Sequence, residues 1–154
     1  MNRIAPLLPE TNIMLDVDAG TKKRLFEQIA LLFERQAQLP QGAVLASLSA
    51  RERLGSTGLG QGIAIPHGRL KGLKHALGAF VRPHQPIPFD APDGKPVAQV
   101  FALLVPEQAT DEHLQLLSEL AEMFSEQDFR ERIAAAIDAA DVHRLFQSWV
   151  PEPQ

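Results

Sequence analysis

One continuous run near the middle of the chain holds most of the residues whose types and spacing could do chemistry. It reads Arg51-Glu52-Arg53-Leu54-Gly55-Ser56-Thr57-Gly58-Leu59-Gly60-Gln61-Gly62-Ile63-Ala64-Ile65-Pro66-His67-Gly68. The pattern is a glycine-rich turn, a short strand over 63–65 halted by Pro66, and a histidine at the strand's end. Glycines let the backbone take positive φ angles and approach a ligand closely, which exposes N–H groups able to cradle an anion. Pro66 has no N–H for onward pairing, so His67 is expected at an edge or in a loop, with Gly68 leaving space beside the ring. A neutral imidazole is nucleophilic near pH 7, and its phosphorylated form is a good donor to a further acceptor. Phosphoryl transfer therefore suits His67.

Such a site needs a group to fix the other ring nitrogen, and cations or N–H groups for the phosphoryl oxygens. Arg51 follows Leu48 and Val44 at helical spacing, on the inward face of a last helical turn. There a guanidinium either caps helix carbonyls or meets an anion, and spacing alone does not choose. Thr57 either bonds a phosphoryl oxygen or closes the turn. Gly60 and Gly62 are expected to shape the pocket and donate N–H groups. Other chemistries fit poorly. The run lacks the Lys-Ser/Thr ending of a P-loop, and there is no His-Glu-x-x-His or other ligand spacing, so neither a metal nor a cofactor is indicated. Ser56 and His67 could belong to a hydrolytic triad, but no nucleophile-elbow sequence supports it.

The elements that must position these residues follow from periodicity. Residues 13–17 read as a strand, followed by Asp18 as a candidate helix cap. Leu25, Phe26, Ile29, Leu32 and Phe33 then recur at helical spacing up to Pro40. A second helix is expected over 42–54, with strands over 77–81 and 97–105. Five prolines and Asp93-Gly94 between Pro83 and Pro96 suggest a long hairpin connection. Leu114, Leu117, Ala121 and Phe124 mark a further helix. Ser125 with Asp128 is a candidate cap for the next, carrying Phe129, Ile133 and Ile137. Asp141 is a candidate cap for a last helix that Pro151 ends. Helices at both ends around central strands predict one α/β sandwich, a single domain over 1–154 with its core at about 8–150.

Composition narrows the class. The 154 residues are 45% hydrophobic and 22% charged, as in a soluble globular protein. The absence of cysteine excludes a disulfide framework and a catalytic thiol, and fits a reducing cytoplasm. The net charge of −4 with scattered Lys and Arg argues against a nucleic-acid partner. Lys22-Lys23-Arg24 is the densest basic run, either a docking patch or, more ordinarily, a solvated helix face. No apolar run reaches membrane-spanning length and no signal-peptide pattern opens the chain, so membrane insertion is not expected and the cytoplasm is. His113 opens a helix, where by itself a histidine is a surface residue. His75, His84 and His143 match no functional position.

The run from Arg51 to His67 resembles the active-site signature of the fructose/mannitol-type enzyme IIA domains of the phosphotransferase system, most nearly their nitrogen-regulatory branch. Arg-Glu, Gly-Ser-Thr-Gly, Gly-x-Gly and Ile-Ala-Ile-Pro-His occur there in this order. Ala91-Pro92-Asp93-Gly94-Lys95-Pro96-Val97 agrees with the same family, as does Val100-Phe101-Ala102-Leu103-Leu104-Val105-Pro106-Glu107 through His113-Leu114. The resemblance implies a mixed sheet between helices and phosphorylation of His67, with Arg51 and His113 beside it. It also implies a phosphocarrier and regulator that accepts its phosphoryl group from an HPr-like carrier rather than an independent turnover enzyme. Its targets by resemblance include potassium transport and sensor kinases. The alternative is a sugar-specific enzyme IIA that passes phosphate to a IIB domain. A third reading is an interaction module that has lost phosphotransfer, against which Arg51, Thr57, His67 and His113 together argue.

Overall fold

A computed structural model of the chain describes residues 2–108 and 110–151. Met1 and residues 152–154 of the expected domain lie outside the described residues. The backbone forms a single mixed sheet with helices on both faces, as expected. Its strands are β1 (Ile13–Val17), β2 (Gly58–Gly60), β3 (Ile63–Ala64), β4 (His67–Leu70), β5 (Leu77–Pro83) and β6 (Gln99–Pro106). The helices are α1 (Lys22–Ala37), α2 (Gln41–Leu54), α3 (Thr110–Ser125), α4 (Gln127–Ala135) and α5 (Ala139–Ser148).

The sheet order is β1-β5-β6-β3-β2, with β4 also paired to β6. β6 is central and buried along nearly its whole length, consistent with its almost continuous apolar sequence. Successive residues of β6 face opposite layers. Phe101, Leu103 and Val105 join the core under α3, α4 and α5, whereas Val100, Ala102 and Leu104 join the core under α1 and α2. The helical periodicity of Leu25, Phe26, Ile29, Leu32 and Phe33 buries that stripe in the second core, together with Val44 and Leu48 of α2. In the first core the Phe146 ring lies 5.4–6.1 Å from those of Phe80, Phe101, Phe124 and Phe129. Truncating such a residue to Ala costs about 3–5 kcal/mol. Trp149 closes this layer, 6% exposed, its indole N–H donating to Glu126 Oε2 at 3.1 Å.

Several local expectations are corrected. Thr21, not Asp18, caps α1, accepting from the Arg24 N–H at 3.1 Å. Asp138, not Asp141, caps α5, accepting from the Asp141 N–H at 2.8 Å. Ser125 ends α3 rather than capping α4, and its hydroxyl donates to Glu122 O. The last strand begins at Gln99, while Val97 makes only an isolated bridge to Ile87. Pairing does not stop at Pro66. The Pro66 carbonyl accepts the Leu103 N–H at 2.9 Å, and β4 resumes against the same neighbour with His67 opposite Leu103. Proline costs only its own N–H, so β3 and β4 behave as one broken strand along β6.

Candidate functional site

His67 opens β4 opposite Leu103, on the face covered by α3. Its neighbour Gly68 points to the other face, where α2 crosses closely. A Cβ at Gly68 would stand 2.2 Å from Ser47 Oγ and 3.1 Å from the Ser47 backbone, so this approach requires glycine. Ser47 Oγ donates to the Arg69 carbonyl at 2.6 Å and ties α2 to β4. The last turn of α2 thereby comes to the start of β4, bringing Arg51 into the electrostatic reach of His67.

His67 is 9% exposed and its ring Nδ1 lies 2.8 Å from the Ile65 carbonyl oxygen. A carbonyl can only accept, so Nδ1 carries the proton and Nε2 keeps its lone pair. The His113 ring, in the first turns of α3, stands 5.3 Å away edge to face. His113 Nε2 is buried and has no hydrogen-bond partner among the described residues. A buried polar atom without a partner costs about 1–3 kcal/mol, which a ligand oxygen would offset.

The surroundings of both rings favour the neutral form. Burial lowers the pKa of His67 below its ordinary 6.5, opposed by the Ile65 carbonyl; Arg51 lowers it further and Glu52 raises it. Burial also lowers His113, and any proton on His67 and the guanidiniums of Arg69 and Arg51 act in the same direction. Arg69 escaped the reading of the sequence. Its signal was its place two residues after His67 on a strand, which puts both on one face.

Arg51 Nη1 donates to the Gly55 carbonyl at 2.8 Å, so of the two roles left open for it the structure shows helix capping. The side chain is part-exposed and its charge is felt at both imidazoles. Thr57 is buried, and its hydroxyl donates to Glu52 Oε1 at 2.5 Å, so its proton is already engaged in holding the loop.

Gly60 and Gly62 are the two glycines expected in a phosphate cradle. They flank the β2–β3 turn with φ of 86° and 78°, and Gly62 O accepts the Ala98 and Gln99 N–H groups. Register places Ile63 opposite Gln99 and His67 opposite Leu103, about 13 Å along the strand at roughly 3.3 Å per residue. Gly60 and Gln61 instead line a cavity of about 400 Å³ with Ala121, Phe124 and Ser125 at the far end of α3 from His113. Positions 60–62 all take positive φ, Gln61 at 59°, and glycine relieves two of the three. The Gln61 N–H is held by Asp93 Oδ2 at 2.9 Å. His84 pairs with Asp16 at another edge, and the ring of His143 borders a separate surface hollow near Asn2. Among the described residues no cluster of His, Cys, Asp or Glu could hold a metal ion, and no helix is long and apolar enough to cross a membrane.

Comparison with known proteins places the fold and the family. A nitrogen regulatory protein of Pseudomonas aeruginosa is 42% identical over 146 residues, covering 94% of this chain and 95% of that protein. The crystal structure of Nitrogen Regulatory Protein IIA-Ntr from Neisseria meningitidis superposes with a TM-score of 0.88 at 53% identity, covering 94% and 99% of the two chains. A fructose-specific EIIA component of Haloferax volcanii is 34% identical, covering 86% and 87%. Residues 6–149 match the family model described as phosphoenolpyruvate-dependent sugar phosphotransferase system, EIIA 2, and the chain belongs to that family.

Proposed function

We propose that the chain is a phosphocarrier of the nitrogen-related phosphotransferase system, accepting a phosphoryl group on His67 Nε2 from an HPr-like carrier and regulating targets through its phosphorylation state. The carrying observation is the 2.8 Å bond from His67 Nδ1–H to Ile65 O, which leaves Nε2 as the nucleophile and fixes the ring. The donor's phosphorus–nitrogen bond breaks as the bond to Nε2 forms, while Nδ1 keeps its proton throughout.

The neutral state of His67 supports attack, because a protonated ring has no lone pair at Nε2. His113 Nε2, otherwise unpartnered, supplies a hydrogen bond to a phosphoryl oxygen. Arg51 gives up its bond to Gly55 O and pairs with the phosphoryl charge. Phosphorylation adds about 1.5–2 negative charges at this surface, enough to change which targets bind. The extent of similarity to nitrogen regulatory proteins favours regulatory targets, of which potassium transport and sensor kinases are the candidates, in the cytoplasm. The fructose-specific relative keeps a second reading in view, onward transfer from His67 to a IIB domain.

Intact-mass analysis after incubation with phosphoenolpyruvate, enzyme I and an HPr-type carrier tests the reading. One acid-labile phosphoryl adduct is expected on the wild type and none on His67→Ala. An unmodified wild type with competent donors overturns phosphotransfer. Efficient onward transfer to a IIB domain would replace the regulatory reading with the sugar-transport one.

A further inference from the structure

Glu52 stands beside Arg51 on α2 but faces the interior, its side chain 6% exposed. A buried carboxylate is costly unless paired and hydrogen-bonded, and Glu52 is both. Oε2 accepts the Thr57 N–H at 3.0 Å and the Lys22 ammonium at 2.9 Å, while Oε1 accepts the Thr57 hydroxyl at 2.5 Å. Lys22 in turn donates to the Phe89 carbonyl at 3.3 Å and sits 4.6 Å from the centre of the Phe89 ring. Of the basic run at the start of α1, Lys22 is therefore a half-buried strut, whereas Lys23 and Arg24 are exposed.

The contacts continue toward the histidine. The Thr57 carbonyl accepts the Ile65 N–H at 3.0 Å, and the Ile65 carbonyl accepts the His67 Nδ1–H at 2.8 Å. Two peptide units thus separate the clamped Thr57 from the ring that reacts. We propose that Glu52 is a positioning residue for phosphoryl transfer: it clamps Thr57, and through Thr57 and Ile65 it sets the tautomer and angle of the His67 ring. This inference rests on the phosphocarrier reading above. The charge of Glu52 also reaches the ring, favouring its protonated form against the effect of Arg51, so the two neighbours on α2 act on His67 with opposite sign.

The test compares wild type, Glu52→Gln, Thr57→Val and the double variant. Measured are the rate of phosphorylation by a phosphorylated HPr-type carrier and the ¹⁵N shifts of the His67 ring. A displacement of about 1 Å at a reacting group costs roughly a hundredfold, so each single variant should be about ten- to a hundredfold slower. The double variant should be no slower than the slower single one, because both break the same link. The ¹⁵N shifts should lose the pattern of a fixed Nδ1–H tautomer, and Thr57→Ser, which keeps the hydroxyl, should recover most of the rate. A purely structural ion pair would lower the melting temperature of Glu52→Gln while leaving the ring shifts unchanged. A folded Glu52→Gln with wild-type rate and shifts overturns the proposal, as do additive effects in the double variant. If Glu52→Gln does not fold, Thr57→Val decides alone, and a wild-type rate in it overturns the proposal. A wild type that takes no phosphoryl group is a different failure, that of the phosphocarrier reading itself.

Discussion

Two neighbouring stretches within the run from Arg51 to Gly68 differ both in composition and in what they hold. The first, from Arg51 to Thr57, crosses from the end of α2 through an exposed turn to the buried Thr57, whose polar atoms lead to His67. The second, from Gly58 to Gly62, folds into a hairpin four ladder positions down β6, beside the far end of α3. Gly60 and Gly62 in the hairpin answer to backbone geometry, whereas Gly68 answers to the approach of a helix. Position along a strand, rather than position along the sequence, decides which part of a motif meets the reacting atom.

That contrast can be broken by experiment. On the proposed mechanism Arg51→Ala removes a cation within electrostatic reach of His67, and loss of one such donor typically costs about 10²–10³ in rate. Single-turnover phosphorylation of His67 in that variant is expected to fall within this range, and a rate within twofold of wild type would move Arg51 out of the site. Gly60→Ala forces an L side chain into φ of 86°, at a cost of about 1–2 kcal/mol. Its melting point should drop while the phosphorylation rate of the folded protein holds. A slow variant of normal stability would restore the hairpin to the site.

The smallest effect is that of pH. His67 and His113 have pKa values lowered by burial from an ordinary 6.5, so between the folded values and 6.5 the unfolded chain binds more protons. Stability contributed by the neutral rings is fully present above 6.5 and is lost as pH falls through the folded values. Phosphorylation should correspondingly persist below pH 6.5, where a free histidine is mostly protonated. A rate that halves at pH 6.5 itself would show an exposed, unperturbed ring.

Much of the fold was legible because helices announce themselves by period. Leu25 through Phe33 and Phe129 with Ile133 are buried where their spacing placed them. Caps were harder: Asp18, Thr21, Asp138 and Asp141 are all competent acceptors, and the φ/ψ of the entering chain selects among them. β2 was not visible, since Gly58–Gly60 pairs through its backbone with β3 and offers no side-chain alternation. In the site, His67 could be singled out from Pro66 and the preceding strand. The ring-to-ring approach of His113 rests on a tertiary contact that only the resemblance implied, and the clamp on Thr57 depends on Glu52 turning inward beside an outward Arg51.

The placement of Trp149 has an optical consequence. The chain has one tryptophan and no tyrosine, so the emission excited at indole wavelengths, beyond the absorption of phenylalanine, arises at a single point. That point is the indole bound to Glu126, in the layer formed by α3, α4 and α5, with its carbonyl held by Asn2 Nδ2 at 2.7 Å. Its fluorescence is a built-in gauge of whether the His113-bearing layer and the N-terminal segment remain docked. The layer that carries Arg51 and Glu52 contributes no tryptophan or tyrosine emission, so a change there that leaves α5 in place passes unseen by the lamp and requires the nuclear signals of His67 instead.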